Sequence, residues 1–175
     1  TAGLISGGEA PPNQVTNTEI WNGSSWTEVS DLNTSKASAP NTGTSTAALS
    51  IGGQLASGPP YMATVEEWDG STWTEIADLN TGRSSSGGAG TYTASLVFGG
   101  KEPAQSAKTE SWDGSTWTEV NDLATAVANS AGAGTNTLAL SYAGQQPAIT
   151  AQTEEWTFSG LPPSTPAAGY SDAIV

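Results

Sequence analysis

Three near-identical phrases constrain this chain more than anything else in it: Trp21-Asn-Gly-Ser-Ser-Trp26-Thr-Glu-Val, Trp68-Asp-Gly-Ser-Thr-Trp73-Thr-Glu-Ile and Trp112-Asp-Gly-Ser-Thr-Trp117-Thr-Glu-Val. A degenerate fourth copy begins at Trp156, and the leading tryptophans are spaced by 47, 44 and 44 residues. A period of that length marks an array of small units, each burying its apolar face against the next. Residues common to every copy are then those that every unit needs, and function is sought in what differs between copies.

A second landmark falls in phase with the first. Gly7-Gly8, Gly52-Gly53 and Gly99-Gly100 each close a short apolar run, with Ala143-Gly144 as a weaker fourth. The runs, such as Thr93-Ala-Ser-Leu96-Val97-Phe98, are short, partly alternating and punctuated by glycine, which reads as buried strand rather than helix. A variable loop follows, then a strand ending at the first tryptophan. Asp-Gly after it predicts a type I′ hairpin, with positive φ at both central residues. The Trp-Thr-Glu strand returns. A connector beginning Asp31-Leu32, Asp78-Leu79 or Asp122-Leu123 leads through Ser/Gly/Ala-rich sequence to the next apolar strand. Those small residues suit a strand crowded near a central axis. Four short antiparallel strands per repeat are the unit of a propeller blade.

The pattern of diglycine, an aromatic about a dozen residues on and a second tryptophan soon after resembles the kelch repeat, whose period is about 50 residues. Lys36 and Arg83 stand where kelch repeats often carry a basic residue before the innermost strand, and the fourth copy has none there. The first aromatic is commonly Tyr in kelch and is Trp throughout this chain. The resemblance implies an all-β fold of kelch-like β-propeller blades over 1–158, with copies at about 1–30, 31–77, 78–121 and 122–158, and a Pro-rich linker or tail over 159–175. Strand counting gives three, four, four and three strands, so the first and last blades are expected to be incomplete. A fragment of a longer propeller, a ring completed by a second chain and an open stack of blades all fit that count. Kelch domains include a copper oxidase, actin binders and ubiquitin-ligase adaptors, so the name assigns no activity. The Trp-Asp/Asn-Gly-x-x-Trp-Thr-Glu hairpins are also similar to tryptophan-rich kelch-like repeats of marine bacteriophage structural proteins. That likeness implies a virion component.

Composition narrows the partners. Four basic residues against seventeen acidic ones give a net charge of −13, although only 12% of residues are charged. Such a surface is repelled by nucleic-acid phosphates and anionic lipid. With no run of about 20 apolar residues, no membrane insertion is expected. The chain contains no cysteine and no histidine. Thiolate metal sites, imidazole acid–base catalysis and a copper centre like that of the kelch oxidase are therefore excluded, and no cofactor or metal is expected.

Carboxylate pairs such as Glu66-Glu67 and Glu154-Glu155 do not suit glycosidase chemistry, because neighbouring strand residues point to opposite faces. They are expected to be solvated strand residues. Glu19, Glu66, Glu110 and Glu154 each lie two residues before a tryptophan on one strand face. They are expected to accept backbone hydrogen bonds, with cation binding as the alternative. Trp21, Trp26, Trp68, Trp73, Trp112 and Trp117, with Gly52, Gly53, Gly99 and Gly100, are read as structural, since a large aromatic between sheets can bury 150 to 250 Å².

Binding is expected on the loops after the glycine pairs, which occupy one rim and differ in length, charge and apolar content. Tyr61, Met62, Gln105 and Gln146 are the candidate contacts, and none is expected to be catalytic. The resulting expectation is a non-enzymatic interaction module on a virion or extracellular surface, with a protein or glycan partner, other assembly subunits alongside, and oligomeric or part of a longer chain. A secreted carbohydrate-binding or carbohydrate-active protein and an intracellular kelch adaptor are the alternatives.

Overall fold

The computed structural model describes residues 2–55, 61–146, 148–149 and 151–157. The proposed tail at 159–175 lies outside them, as do Pro59, Pro60 and Pro147 of the rim loops. Among the described residues there is no helix, and every element is a short strand.

Sheet I contains β1 (Gly3–Ser6), β4 (Thr18–Trp21) and β5 (Trp26–Glu28). Its loop carries a small ribbon, β2 (Glu9–Ala10) with β3 (Asn13–Gln14). Sheet II runs β6 (Asn41–Thr44), β7 (Ala47–Ile51), β8 (Val65–Trp68), β9 (Trp73–Ile76). Sheet III repeats that order with β10 (Gly87–Thr91), β11 (Ala94–Phe98), β12 (Thr109–Trp112) and β13 (Trp117–Val120). Sheet IV has β14 (Ala131–Gly134), β15 (Leu138–Tyr142) and β16 (Thr153–Thr157). All pairings are antiparallel between strands adjacent in the sheet, with no crossover inside a unit. The predicted series of three, four, four and three strands is thus found. The described sheets do not form a closed ring.

The strand faces explain the packing between sheets. Cross-strand partners share a face, so Glu66, Trp68 and Trp73 look the same way. That face meets sheet I, where Leu4, Ile20, Val29 and Leu32 pack on Trp68 and Trp73. The opposite face of sheet II offers Leu49, Ile51 and Val65 to Val97, Trp112 and Trp117 of sheet III. Leu96 and Phe98 then meet Ala139 and Trp156 of sheet IV. Each interface repeats the last with one step of the period. The small-residue strands come together, β10 lying against both β6 and β14. A Cβ on Gly132 would fall 2.4 Å from the Gly88 carbonyl, so side chains are excluded from that contact by backbone proximity.

One turn differs from expectation. Only glycine takes positive φ in the tryptophan hairpins, at Gly23, Gly70 and Gly114, and the preceding Asn22, Asp69 and Asp113 do not. The turn is therefore not type I′. The carboxylate of Asp69 instead accepts the Ser71 and Thr72 backbone N–H groups at 2.8 Å each, closing a longer loop from the side chain. Asp113 does the same for Ser115 and Thr116.

Candidate functional site

Antiparallel order puts the loops of every sheet at alternating ends. One end carries the Asp-Gly hairpins and the Thr-x-Thr turns. The other carries the loops after the glycine pairs together with the connectors entering β6, β10 and β14. This second end is the rim expected to bind.

Its frame is made by backbone. Gly53 donates its N–H to the Arg83 carbonyl and Gly100 to the Val127 carbonyl, so each second glycine is tied to the connector of the following unit. Gly52 and Gly99 take φ of 61° and 66°, and a Cβ there would stand 2.6 and 2.5 Å from those same carbonyls. Positive φ and close approach both require glycine at this crossing. The connectors are linked in turn: Ser85 donates N–H to Ser38 O at 2.8 Å, and Asn129 to Ser85 O at 2.7 Å. All three linked residues have φ near +56°, a left-handed conformation repeated from unit to unit.

Beneath the loops lie two buried ion pairs. The Arg83 guanidinium donates to Glu110 Oε1 at 2.7 Å with both side chains fully enclosed. It also donates to the Lys108 carbonyl at 2.7 Å and reaches the Gly99 carbonyl at 3.4 Å. One side chain therefore staples both ends of the loop 100–107. Glu110 is completed by the N–H groups of Asn80 (2.8 Å) and Thr81 (3.3 Å) and by the Asn80 amide at 2.9 Å. Lys36 and Glu66 occupy the same positions one unit earlier, with Asn33 and Thr34 donating to Glu66. Lys36 Nζ sits 3.3 Å from Glu66 Oε1 but is off-line for a hydrogen bond. Burial holds its ammonium below the ordinary lysine range, against the pull of Glu66. Val127 replaces the cation in the last unit, where Ala124 N–H still donates to Glu154 at 2.7 Å.

These pairs correct one expectation and agree with another. Glu66 is fully buried rather than a solvated strand residue, while its neighbour Glu67 is half-buried on the other face. Glu66, Glu110 and Glu154 of the acidic ladder do accept backbone N–H groups. At Glu66 and Glu110 its cation is a side chain of this chain, which the basic residue recurring four positions after the connector leucine, at Lys36 and Arg83, could have signalled.

The candidate contacts divide on inspection. Met62 is buried at 7% exposure, its backbone held between Gly53 and Arg83, so it supports the loop from inside. Tyr61 is half-buried, and its hydroxyl donates to the Pro103 carbonyl of the next loop at 3.2 Å. Gln105 likewise donates to the Gln145 carbonyl at 2.8 Å. Gln146 is half-buried, and its backbone N–H closes a turn onto Ala148. The structure thus joins the second loop to the third and the third to the fourth through Tyr61 and Gln105. Among the structural tryptophans, Trp68, Trp73, Trp112 and Trp117 are buried, Trp21 is half-buried and Trp26 is 47% exposed.

Charge on the rim is uneven. Of the four basic residues in the chain, Lys36 and Arg83 are enclosed. The other two, Lys101 and Lys108, both belong to the third loop. Lys108 lies 3.5 Å from Glu102, which also accepts the Ser106 hydroxyl. Among the described residues no group of three or more acidic, histidine or cysteine side chains is placed to hold a metal ion. Among the described residues no helix is long and apolar enough to cross a membrane.

No protein-family model matches the chain, and no curated protein matches it in sequence. Among solved structures it is similar to YjhT, with a TM-score of 0.72 at 13% identity over 85% of this chain. It spans about half of that protein, 51% of its length. The likeness shows an all-β fold of successive sheets; a shared fold neither assigns nor removes an enzymatic activity.

Proposed function

We propose that this chain is a run of kelch-like propeller blades serving as a non-enzymatic binding module, with the rim of post-glycine loops as its recognition surface. The observation that carries the reading is the gathering of the two cations that are not enclosed, the half-buried Lys101 and Lys108, on one rim loop of a molecule whose net charge is −13. On so acidic a surface a local positive spot orients an acidic protein partner and speeds its encounter. The loops around it are braced rather than loose, by Arg83 beneath and by Tyr61 and Gln105 between neighbours. Bracing before binding lowers the entropy cost of association. We place the module on a virion or other extracellular surface, as a fibre, decoration or receptor-binding component, on the strength of the resemblance of its hairpins to phage structural repeats.

A glycan partner is the second reading, favoured by the presence of Gln105, Gln146 and Tyr61 on the same rim. The discriminating experiment presents the protein to arrays of acidic peptides and of glycans, alongside a variant whose segments 101–106 and 145–149 are replaced by Gly-Ser sequence. Binding to acidic peptides that is lost in the loop variant, while circular dichroism stays unchanged, is expected. Equal binding by both proteins would overturn the rim assignment and direct attention to the Asp-Gly end. Binding to glycans alone would favour the second reading.

A further inference from the structure

The outer face of sheet I repeats, position for position, the faces of sheets II and III that are covered. Glu19 pairs with Glu28 and Ile5, as Glu66 pairs with Glu75 and Ser50, and Glu110 with Glu119 and Val97. Trp21 pairs with Trp26 at a ring separation of 5.5 Å, as Trp68 with Trp73 at 5.4 Å. Yet Trp26 is 47% exposed where Trp73 and Trp117 are 6%, and Ile5 is 49% exposed. Glu19 is half-buried and has no cation against it among the described residues, where Glu66 and Glu110 are fully enclosed with Lys36 and Arg83.

The edge of the same sheet is open too. β7, β11 and β15 each pair on one side with a small-residue strand, and β1 pairs only with β4. A groove of about 250 Å³ lies there, lined by Ala2, Gly3 and Leu4 of one sheet and by Asn41–Ser45 and Ala48 of the next. It occupies the position that β6 and β10 fill in the following units.

We infer that this face and groove form a docking site for a further polypeptide repeat of the same type, one carrying a Leu-Asn-Thr-x-Lys/Arg connector followed by a small-residue strand. The covered interfaces state how it binds. The Asn and Thr backbone N–H groups and the Asn amide cap the carboxylate of Glu19, as Asn80 and Thr81 cap Glu110. The Arg or Lys head neutralises it, as Arg83 does. The residue before the connector offers its carbonyl to the Trp26 indole, as Ala77 does to Trp117 at 3.1 Å. The strand that follows enters the groove and pairs with β1 by main-chain hydrogen bonds, whose spacing admits only small side chains against β6. Charge complementarity and continuity with three existing interfaces select this occupant over an unrelated apolar surface.

The test uses the full chain and a fluorescent peptide with the sequence of residues 76–93. Saturable binding is expected, with Trp26 becoming shielded from iodide quenching. Replacing arginine by glutamine in the peptide should weaken binding about tenfold or more, since it leaves a desolvated carboxylate unpaired. Glu19→Gln in the protein should remove the difference between the two peptides. Should that variant fold poorly, the two peptides on the unaltered protein decide alone. Equal affinity of both peptides, or no saturable binding, overturns the proposal. So does self-association of the protein through Trp26 that the peptide fails to displace, which would make a second copy the occupant.

Discussion

Arg83 holds together two things at once, the interface between sheets II and III and the mouth of the third rim loop. Its charge is acceptable in a dry site because Glu110 and the carbonyls of Thr81, Gly99 and Lys108 take its donors, and because Asn80 and Thr81 satisfy the remaining lone pairs of that carboxylate. Removing one member leaves the other charged and enclosed, so Arg83→Met or Glu110→Gln should each cost about 3–5 kcal/mol, read as a shift of the urea midpoint. The double replacement should cost much less than the sum, because neither charge is then stranded. Asp69 and Asp113 are the opposite case, exposed carboxylates shaping turns. Hydrogen bonds from Thr72 and Ser71, and from Thr116 and Ser115, hold both well below the ordinary aspartate range, at about 2. A folded pKa below the unfolded one contributes stability above the unfolded value, and the contribution is lost as pH falls through the folded one. The turns should therefore weaken between about pH 4 and 2. Carboxyl-carbon NMR should find both groups still ionised at pH 3, and ordinary titration near 3.8 would contradict the turn geometry.

At the scale of the strand, Gly132 of β14 is set by distance and not by backbone conformation, whereas Gly90 and Gly134 also take positive φ. Gly132 has ordinary φ, but its Cβ would lie 2.4 Å from Gly88 O and 2.5 Å from Phe98 Cζ. Gly132→Ala should cost about 1–3 kcal/mol by overpacking, with sheet IV loosened first. Hydrogen exchange at Leu140 and Ser141 amides would reveal it, and protection equal to the parent chain would argue against the close contact. The Ser/Gly/Ala bias was legible as a crowded strand, since side-chain volume is a local property. The turn type was not, because Asp-Gly suits several loops and the choice depends on the carboxylate reaching two N–H groups.

For the whole molecule, the two outer faces differ from all the inner ones. Leu138 is 60% and Leu140 43% exposed on sheet IV, whereas Leu49 and Leu96, which correspond to Leu140, are fully buried. Exposed apolar surface of this kind marks an interaction site or an association hazard. Leu138→Ser with Leu140→Ser should lower concentration-dependent association in sedimentation while changing stability by only about 0.5 kcal/mol or less, because little packing is lost. Association unchanged by that pair would mean the contact lies elsewhere, with Ile5 and Trp26 of sheet I next to be replaced.

The period, the strand count per unit and the identity of the rim follow from sequence alone, because they depend on local alternation and on glycine at fixed intervals. The same information placed Tyr61, Met62, Gln105 and Gln146 on one rim of loops without revealing that Met62 faces inward or that Tyr61 and Gln105 tie loop to loop. Nor could it distinguish Trp26 from Trp73, which share a motif and strand. Burial is decided by whether a neighbouring sheet lies against the face, and the pairing of Arg83 with Glu110 depends on a connector crossing to a strand 27 residues later in sequence. Such contacts are properties of how units stack, and only the tertiary structure decides them.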